Sequence, residues 1–151
     1  MPFEVINKKK IKTTKDKAYK TIEDCEKWPM FIPECLEVKI LEYKDGGFFR
    51  YLRSIVRGKK AEMKTFCKLY PEQHKMEFRQ VVSPWPVKSN CGEWYITEID
   101  QDYVEMVLVH RVEFLYGMLG RILGKLIIVP HFLYKHAEII LSAFAKKLEE
   151  K

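Results

Sequence analysis

Between Leu36 and Phe114 the chain alternates apolar and polar residues in six short runs, and beyond Phe114 the spacing changes to that of a helix. That single change of period constrains the fold more than any other feature. The runs are Leu36 to Tyr43, Phe48 to Val56, Ala61 to Leu69, Met76 to Val82, Cys91 to Ile99 and Tyr103 to Phe114. Between them lie Lys44-Asp45-Gly46-Gly47, Arg57-Gly58-Lys59-Lys60, Tyr70-Pro71-Glu72-Gln73, Ser83-Pro84-Trp85-Pro86 and Asp100-Gln101-Asp102. None of these connections can hold a crossover helix, so the strands must form an antiparallel meander. From Leu115 to Leu148 apolar residues recur at Met118/Leu119, Ile122/Leu123, Leu126/Ile127, Leu133, Ile140 and Ala143/Phe144. This predicts about nine helical turns, ~50 Å of helix, with one stripe in the core throughout. Pro130 and the glycines at 117, 120 and 124 supply the bend such a length needs.

Ahead of the meander, Phe3 to Lys12 reads as another strand. Thr14 is placed to cap a short helix from about Lys15 to Asp24, with Ala18, Tyr19 and Ile22 inward. Trp28-Pro29-Met30-Phe31-Ile32-Pro33 is an apolar connection, expected as one helical turn plugging an end of the fold. The reading is α+β: one domain over residues 1–151, a seven-stranded antiparallel sheet wrapped around a long C-terminal helix, with two short helices after the first strand. A bent helix closing such a sheet leaves a cavity.

Composition removes several function classes. No stretch approaches the ~20 apolar residues of a membrane span. Met-Pro-Phe-Glu-Val at the N-terminus lacks the apolar run of a signal peptide, so a cytoplasmic location is expected. Cysteines 25, 35, 67 and 91 show no metal-type spacing and are expected as reduced thiols. His131 and His136 fall on different helix faces, and neither a metal nor a cofactor is expected. The net charge of +6 includes a cluster of lysines at 8, 9, 10, 12, 15, 17 and 20. With no arginine row and no nucleic-acid motif, that cluster reads as solvated surface rather than a nucleic-acid site.

Alternation assigns the inner faces. The last strand points Val104, Met106, Leu108, His110, Val112 and Phe114 one way. By the same rule Met76, Phe78, Gln80 and Val82, then Ala61, Met63, Thr65 and Cys67, then Gly92, Trp94 and Ile96 face inward. Arg50 and Arg53 are ambiguous in their strand and are expected to point outward, because a buried guanidinium requires an anionic partner. His110 has two readings: a group that polarises a ligand carbonyl or moves a proton, or a core histidine bonded to backbone or to Gln80. Gln80, a buried amide, must bond to His110, water or ligand. Trp94 and Trp28 read as stacking walls or as core, and Trp85 as a guard at the cavity mouth or a residue folded back on the sheet. Apolar residues near Pro130, flanked by Arg121, Lys125 and Lys135, suit transient contact with a bilayer or a homodimer contact equally.

Several motifs carry a family resemblance over nearly the whole chain. Asp24 to Trp28-Pro29-Met30-Phe31-Ile32-Pro33 is similar to a pattern D-x-x-x-W-P-x-F-x-P. Val38-Lys39-Ile40-Leu41-Glu42, Gly92-Glu93-Trp94 after a proline-containing turn, and Gly117-x-x-Gly120 at the helix entry accompany it. The chain thus resembles the START-like helix-grip superfamily, which includes the birch pollen allergen, polyketide cyclase/aromatases and coenzyme Q-binding proteins. The resemblance implies an apolar small molecule held between sheet and helix: a lipid, an isoprenoid or a polyketide-like compound, in a monomer or homodimer. The expected lining is Trp28, Phe31, Met63, Thr65, Phe78, Trp85, Trp94, Met106, Leu108, Leu119, Leu123 and Ile127. It also implies two alternatives: a cyclase or dehydratase with His110 and Gln80 as catalytic groups, or an interaction module for a ribosomal or respiratory partner. The cyclases are similar in carrying a cavity arginine on the fourth strand, an aromatic group and a tyrosine. Here Cys67, Met63 and Cys35 stand near those positions, while Trp28 and Trp94 are kept.

Overall fold

The computed structural model describes residues 3–56, 58–83, 87–126 and 133–150. Its strands are β1 (Phe3–Lys12), β2 (Cys35–Lys44), β3 (Gly47–Val56), β4 (Lys59–Tyr70), β5 (Lys75–Val82), β6 (Val87–Glu98) and β7 (Tyr103–Phe114). They form one antiparallel sheet in the order β1-β7-β6-β5-β4-β3-β2. The meander is therefore as the turn signals predict, and β1 closes it by pairing with β7 over its whole length, Phe3 opposite Val112 through Lys12 opposite Tyr103. Between β1 and β2 lie α1 (Lys15–Glu23) and a 3₁₀ helix (Cys25–Met30). The Thr14 side chain caps α1 by accepting from the Lys17 N–H, and Ala18, Tyr19 and Ile22 are the buried face. Trp28 is anchored in the 3₁₀ helix by its indole N–H, which donates to the Thr21 carbonyl at 3.0 Å.

The C-terminal helix departs from the expected single stripe. It comprises α2 (Gly117–Leu123) and α3 (Lys135–Glu149), with π-type winding at 124–126 and 133–134. Pro130, expected to bend it, lies outside the described residues. Along α3 the stripe is buried as predicted, through Ala137, Leu141, Phe144 and Ala145. Asn7 of β1 fixes its first turn, donating to the Tyr134 carbonyl at 3.2 Å and to Glu138 Oε1 at 2.9 Å. Along α2 the stripe is not core. Met118, Leu119, Ile122 and Leu123 are exposed, Leu119 by 63% and Leu123 by 46%. The reason is local: α2 turns its small residues to the sheet. A Cβ on Gly120 would meet the Leu115 carbonyl and one on Gly124 the Phe114 ring. The close approach these glycines permit rotates the leucines away.

The core sits between the concave sheet face and α3. Trp28, Trp94 and Phe144 form its centre, with ring centroids 5.1 to 5.7 Å apart, and Phe31 meets Phe144 edge-on at 5.1 Å. The convex face is less bare than alternation suggests. Val107 and Val109 of β7 are buried there, because the register sets them between Lys8 and Tyr95 and between Ile6 and Glu93, whose longer side chains flank them. Among the described residues no helix is long and apolar enough to cross a membrane.

Candidate functional site

The registers of four ladders assemble a row of polar groups that no single strand reveals. Arg50 of β3 lies opposite Thr65 of β4, and Thr65 lies opposite Gln80 of β5. Asn90 of β6 shares the inner face of Gly92, one position beyond the end of the β5–β6 ladder. One step further along the barrel, Phe78, Gly92 and His110 lie side by side across β5, β6 and β7. Gly92 has no side chain to separate its neighbours, so the Phe78 and His110 rings meet across it at 5.5 Å. The result is a belt of polar side chains inside a lining that is otherwise apolar.

Arg50 reverses the expectation that it points outward. Its side chain faces the interior and the residue is 5% exposed, with the guanidinium carbon 4.9 Å from the Trp28 ring centroid. Arg53 is the outward member of the pair and meets Glu37 at 3.4 Å. The strand offered no clear signal, since Phe48, Phe49, Tyr51 and Leu52 make both of its faces apolar. The uninterrupted pairing of β3 with β4, which sets Arg50 opposite Thr65, decides it.

Hydrogen bonding along the belt is incomplete. Gln80 Nε2 donates only to the Met63 sulfur, at 3.2 Å, a weak acceptor. Its Oε1, Arg50 Nε and Nη1, Asn90 Oδ1 and His110 Nδ1 are all buried and without a partner among the described residues. Each such atom costs about 1–3 kcal/mol of desolvation when nothing bonds to it. A concentration of them on one inner surface is therefore expensive for structure alone.

Electrostatics keep the site neutral apart from Arg50. Burial, assisted by the neighbouring His136, pushes His110 down to about 4, so its imidazole is uncharged at neutral pH. His136 is lowered by burial too, against the opposing pull of Glu34, whose Oε2 is 3.6 Å from His136 Nδ1. Burial raises the thiols of Cys25, Cys35 and Cys67, Cys35 to about 11, although the Arg50 charge works in the opposite direction on all three. All three are buried and unbridged.

The predicted lining separates into two groups. Trp28, Phe31, Trp94, Met106 and Leu108 belong to the packed core with Leu141 and Phe144. There the sheet and α3 meet closely. Met63, Thr65, Phe78, Gln80 and His110 lie along the polar belt, joined by Arg50 and by Asn90, which sequence reasoning missed. Asn90 was legible: two residues before Gly92, it shares the parity of Trp94 and Ile96. Leu119 and Leu123 lie exposed on α2, away from the sheet. Trp85 and Ile127 lie outside the described residues. Among the described residues no group of three His, Cys, Asp or Glu side chains is arranged to hold a metal ion. Two surface clefts lie elsewhere. One of about 310 Å³ on the convex face runs between Arg79, Cys91 and Arg111, and one of about 410 Å³ lies at the β2–β3 turn around Tyr43 and Phe48.

Residues 11–130 match the family described as "Polyketide cyclase / dehydrase and lipid transport". A comparison with curated protein sequences finds no match. Solved structures with the same fold include the aromatase/cyclase ZhuI of Streptomyces sp. R1128, with TM-score 0.86 and 20% identity over 99% of this chain and 94% of that one. A START superfamily protein of Mycobacterium smegmatis aligns with TM-score 0.79 and 16% identity over 97% of both chains. The protein Ara h 8.0201 aligns over the full length of both with TM-score 0.73 and 10% identity. At these identities the likeness is one of fold.

Proposed function

We propose a function from the premise that this chain belongs to the polyketide cyclase/dehydrase and lipid-transport family: it binds a hydrophobic small molecule against the polar belt of its concave face. The observation that carries this reading is the set of buried atoms on Arg50, Gln80, Asn90 and His110 that have no partner among the described residues, with Trp28 beside Arg50, Met63 beside Gln80 and Phe78 beside His110. Binding sites for small apolar molecules have this composition: mostly hydrophobic walls with a few polar groups that fix orientation. Polar groups spaced along a ligand would satisfy them one by one. Lipid, isoprenoid and polyketide-like molecules all meet the requirement, and the protein would work in the cytoplasm. Extraction of the purified protein with organic solvent, followed by mass spectrometry, tests it. An apolar compound recovered at near-stoichiometric amount supports the reading, and a clean extract from a protein that also refuses added apolar ligands overturns it.

A cyclase or dehydratase is the second reading, favoured by His110. Its imidazole is neutral at pH 7 with Nδ1 unpaired among the described residues, a group able to take a proton from an activated carbon. Carrier and enzyme separate on one variant. For an enzyme, His110→Ala removes turnover of a poly-β-ketone while ligand affinity stays within a few fold. For a carrier it changes affinity alone.

Contact with a bilayer accompanies either reading. Leu115, Met118, Leu119, Ile122, Leu123 and Leu126 form a continuous exposed apolar surface on and beside α2, and Arg121 and Lys125 stand on the same segment. Apolar insertion with basic flanks suits an anionic membrane surface, where a carrier would load or discharge.

A further inference from the structure

Arg50 carries a buried positive charge. Among the described residues no carboxylate comes within ion-pairing distance of it, and two of its nitrogens bond to nothing. Its neighbours are the Trp28 ring and the thiols of Cys25, Cys35 and Cys67. Those thiols could ionise to balance it, but burial holds their protons on. A guanidinium cannot shed its own proton as a buried lysine would. Leaving such a charge buried and unpaired costs several kcal/mol. Among the described residues Arg50 is the one buried charged side chain.

We propose that the bound molecule is an amphipathic anion, a hydrophobic compound whose carboxylate or comparable oxyanion seats against Arg50. The inference rests on the ligand-binding reading above and narrows it from apolar molecules in general to acidic ones. The anion supplies the missing charge, and its oxygens accept from Arg50 Nε or Nη1. Thr65, opposite Arg50, and Gln80 beyond it flank the headgroup. The apolar tail then lies along Met63 and Phe78 toward His110, whose neutral ring adds no competing charge. Neutral lipids would leave the guanidinium unpaired and so bind less well.

Sodium decanoate and 1-decanol test this as a pair, since they share a tail and differ in charge at pH 7.5. Binding is followed by quenching of tryptophan fluorescence, with Trp28 close enough to Arg50 to respond. The expected result is decanoate binding at least tenfold more tightly than decanol. Arg50→Met abolishes that preference, and Arg50→Lys retains part of it. The same Arg50→Met protein melts a few degrees higher than the parent when both are ligand-free, because an unpaired buried charge has been replaced by a thioether of similar length. Equal binding of the two probes, or a preference that survives in Arg50→Met, overturns the acidic-ligand inference and leaves the broader reading standing. Failure of both probes to bind overturns both. A lower melting temperature for ligand-free Arg50→Met would assign Arg50 to structure instead.

Discussion

At the scale of single residues, His110 is where protonation and stability are most tightly linked. Its folded value near 4 lies below the ordinary 6.5, because burial and His136 both disfavour the imidazolium. Between those two values the unfolded chain binds a proton that the folded chain refuses. Folding stability is therefore unaffected above about pH 6.5 and falls as pH drops toward 4, by up to about 3 kcal/mol for a displacement of this size. His136, lowered by the same cause, acts in the same direction. Urea melts across pH 4–7 should show this slope, and His110→Leu should flatten it in part while leaving the pH 7 stability little changed. An unchanged slope in His110→Leu would place the ring in water. Gln80 behaves differently because it does not titrate. Gln80→Leu removes an acceptor that bonds to nothing and a donor held only by sulfur. Its stability should match or exceed the parent's in the same melts, with affinity for polar-headed ligands reduced.

At the scale of elements, α2 and α3 have the same apolar period and opposite fates. Phe144 of α3 is fully buried among Trp28, Phe31 and Trp94. Phe144→Ala should cost about 3–5 kcal/mol in equilibrium unfolding, since the rings around it cannot collapse into the space. Leu119→Glu with Leu123→Glu should cost within about 1 kcal/mol, because both side chains keep about half or more of their exposure to water on folding. The same double variant should lose most of its binding to phosphatidylserine-containing vesicles in sedimentation assays, and wild-type binding there should weaken with salt. Periodicity could not tell the two helices apart. It reports which residues share a face, and not whether that face is covered. The discriminating residues were Gly120 and Gly124, visible in the sequence as a bend and used in the fold as a contact against Leu115 and Phe114. For the strands the sequence was a better guide. Each turn signal fell between two strands, and Val104, Met106, Leu108 and Val112 face inward as their alternation requires.

At the scale of the whole molecule, the site belongs to no one segment. Arg50, Thr65, Gln80, Asn90 and His110 come from five consecutive strands, and only the ladder registers bring them into one belt. The seven-strand meander and the helix that closes it follow from local period and turn chemistry, which is why the architecture was legible residue by residue. Register depends on strand pairing, and a one-residue slip of β3 against β4 would reverse which arginine faces inward. The same geometry divides the interior in two. One half is filled by Phe144 and the two tryptophans, the other carries the unsatisfied atoms of Gln80, Asn90 and His110, and Arg50 lies against Trp28 where the two meet. Methionines sample both halves and the surface: Met63 beside Gln80, Met76 and Met106 in the packed core, and Met30 and Met118 outside. The most direct test is an NMR measurement of contacts between decanoate and protein labelled with ¹³C at its methionine methyl groups. Cross-peaks are expected from the decanoate chain to Met63 and none to Met30. Contacts confined to Met118, or none to Met63 at saturating decanoate, would contradict it.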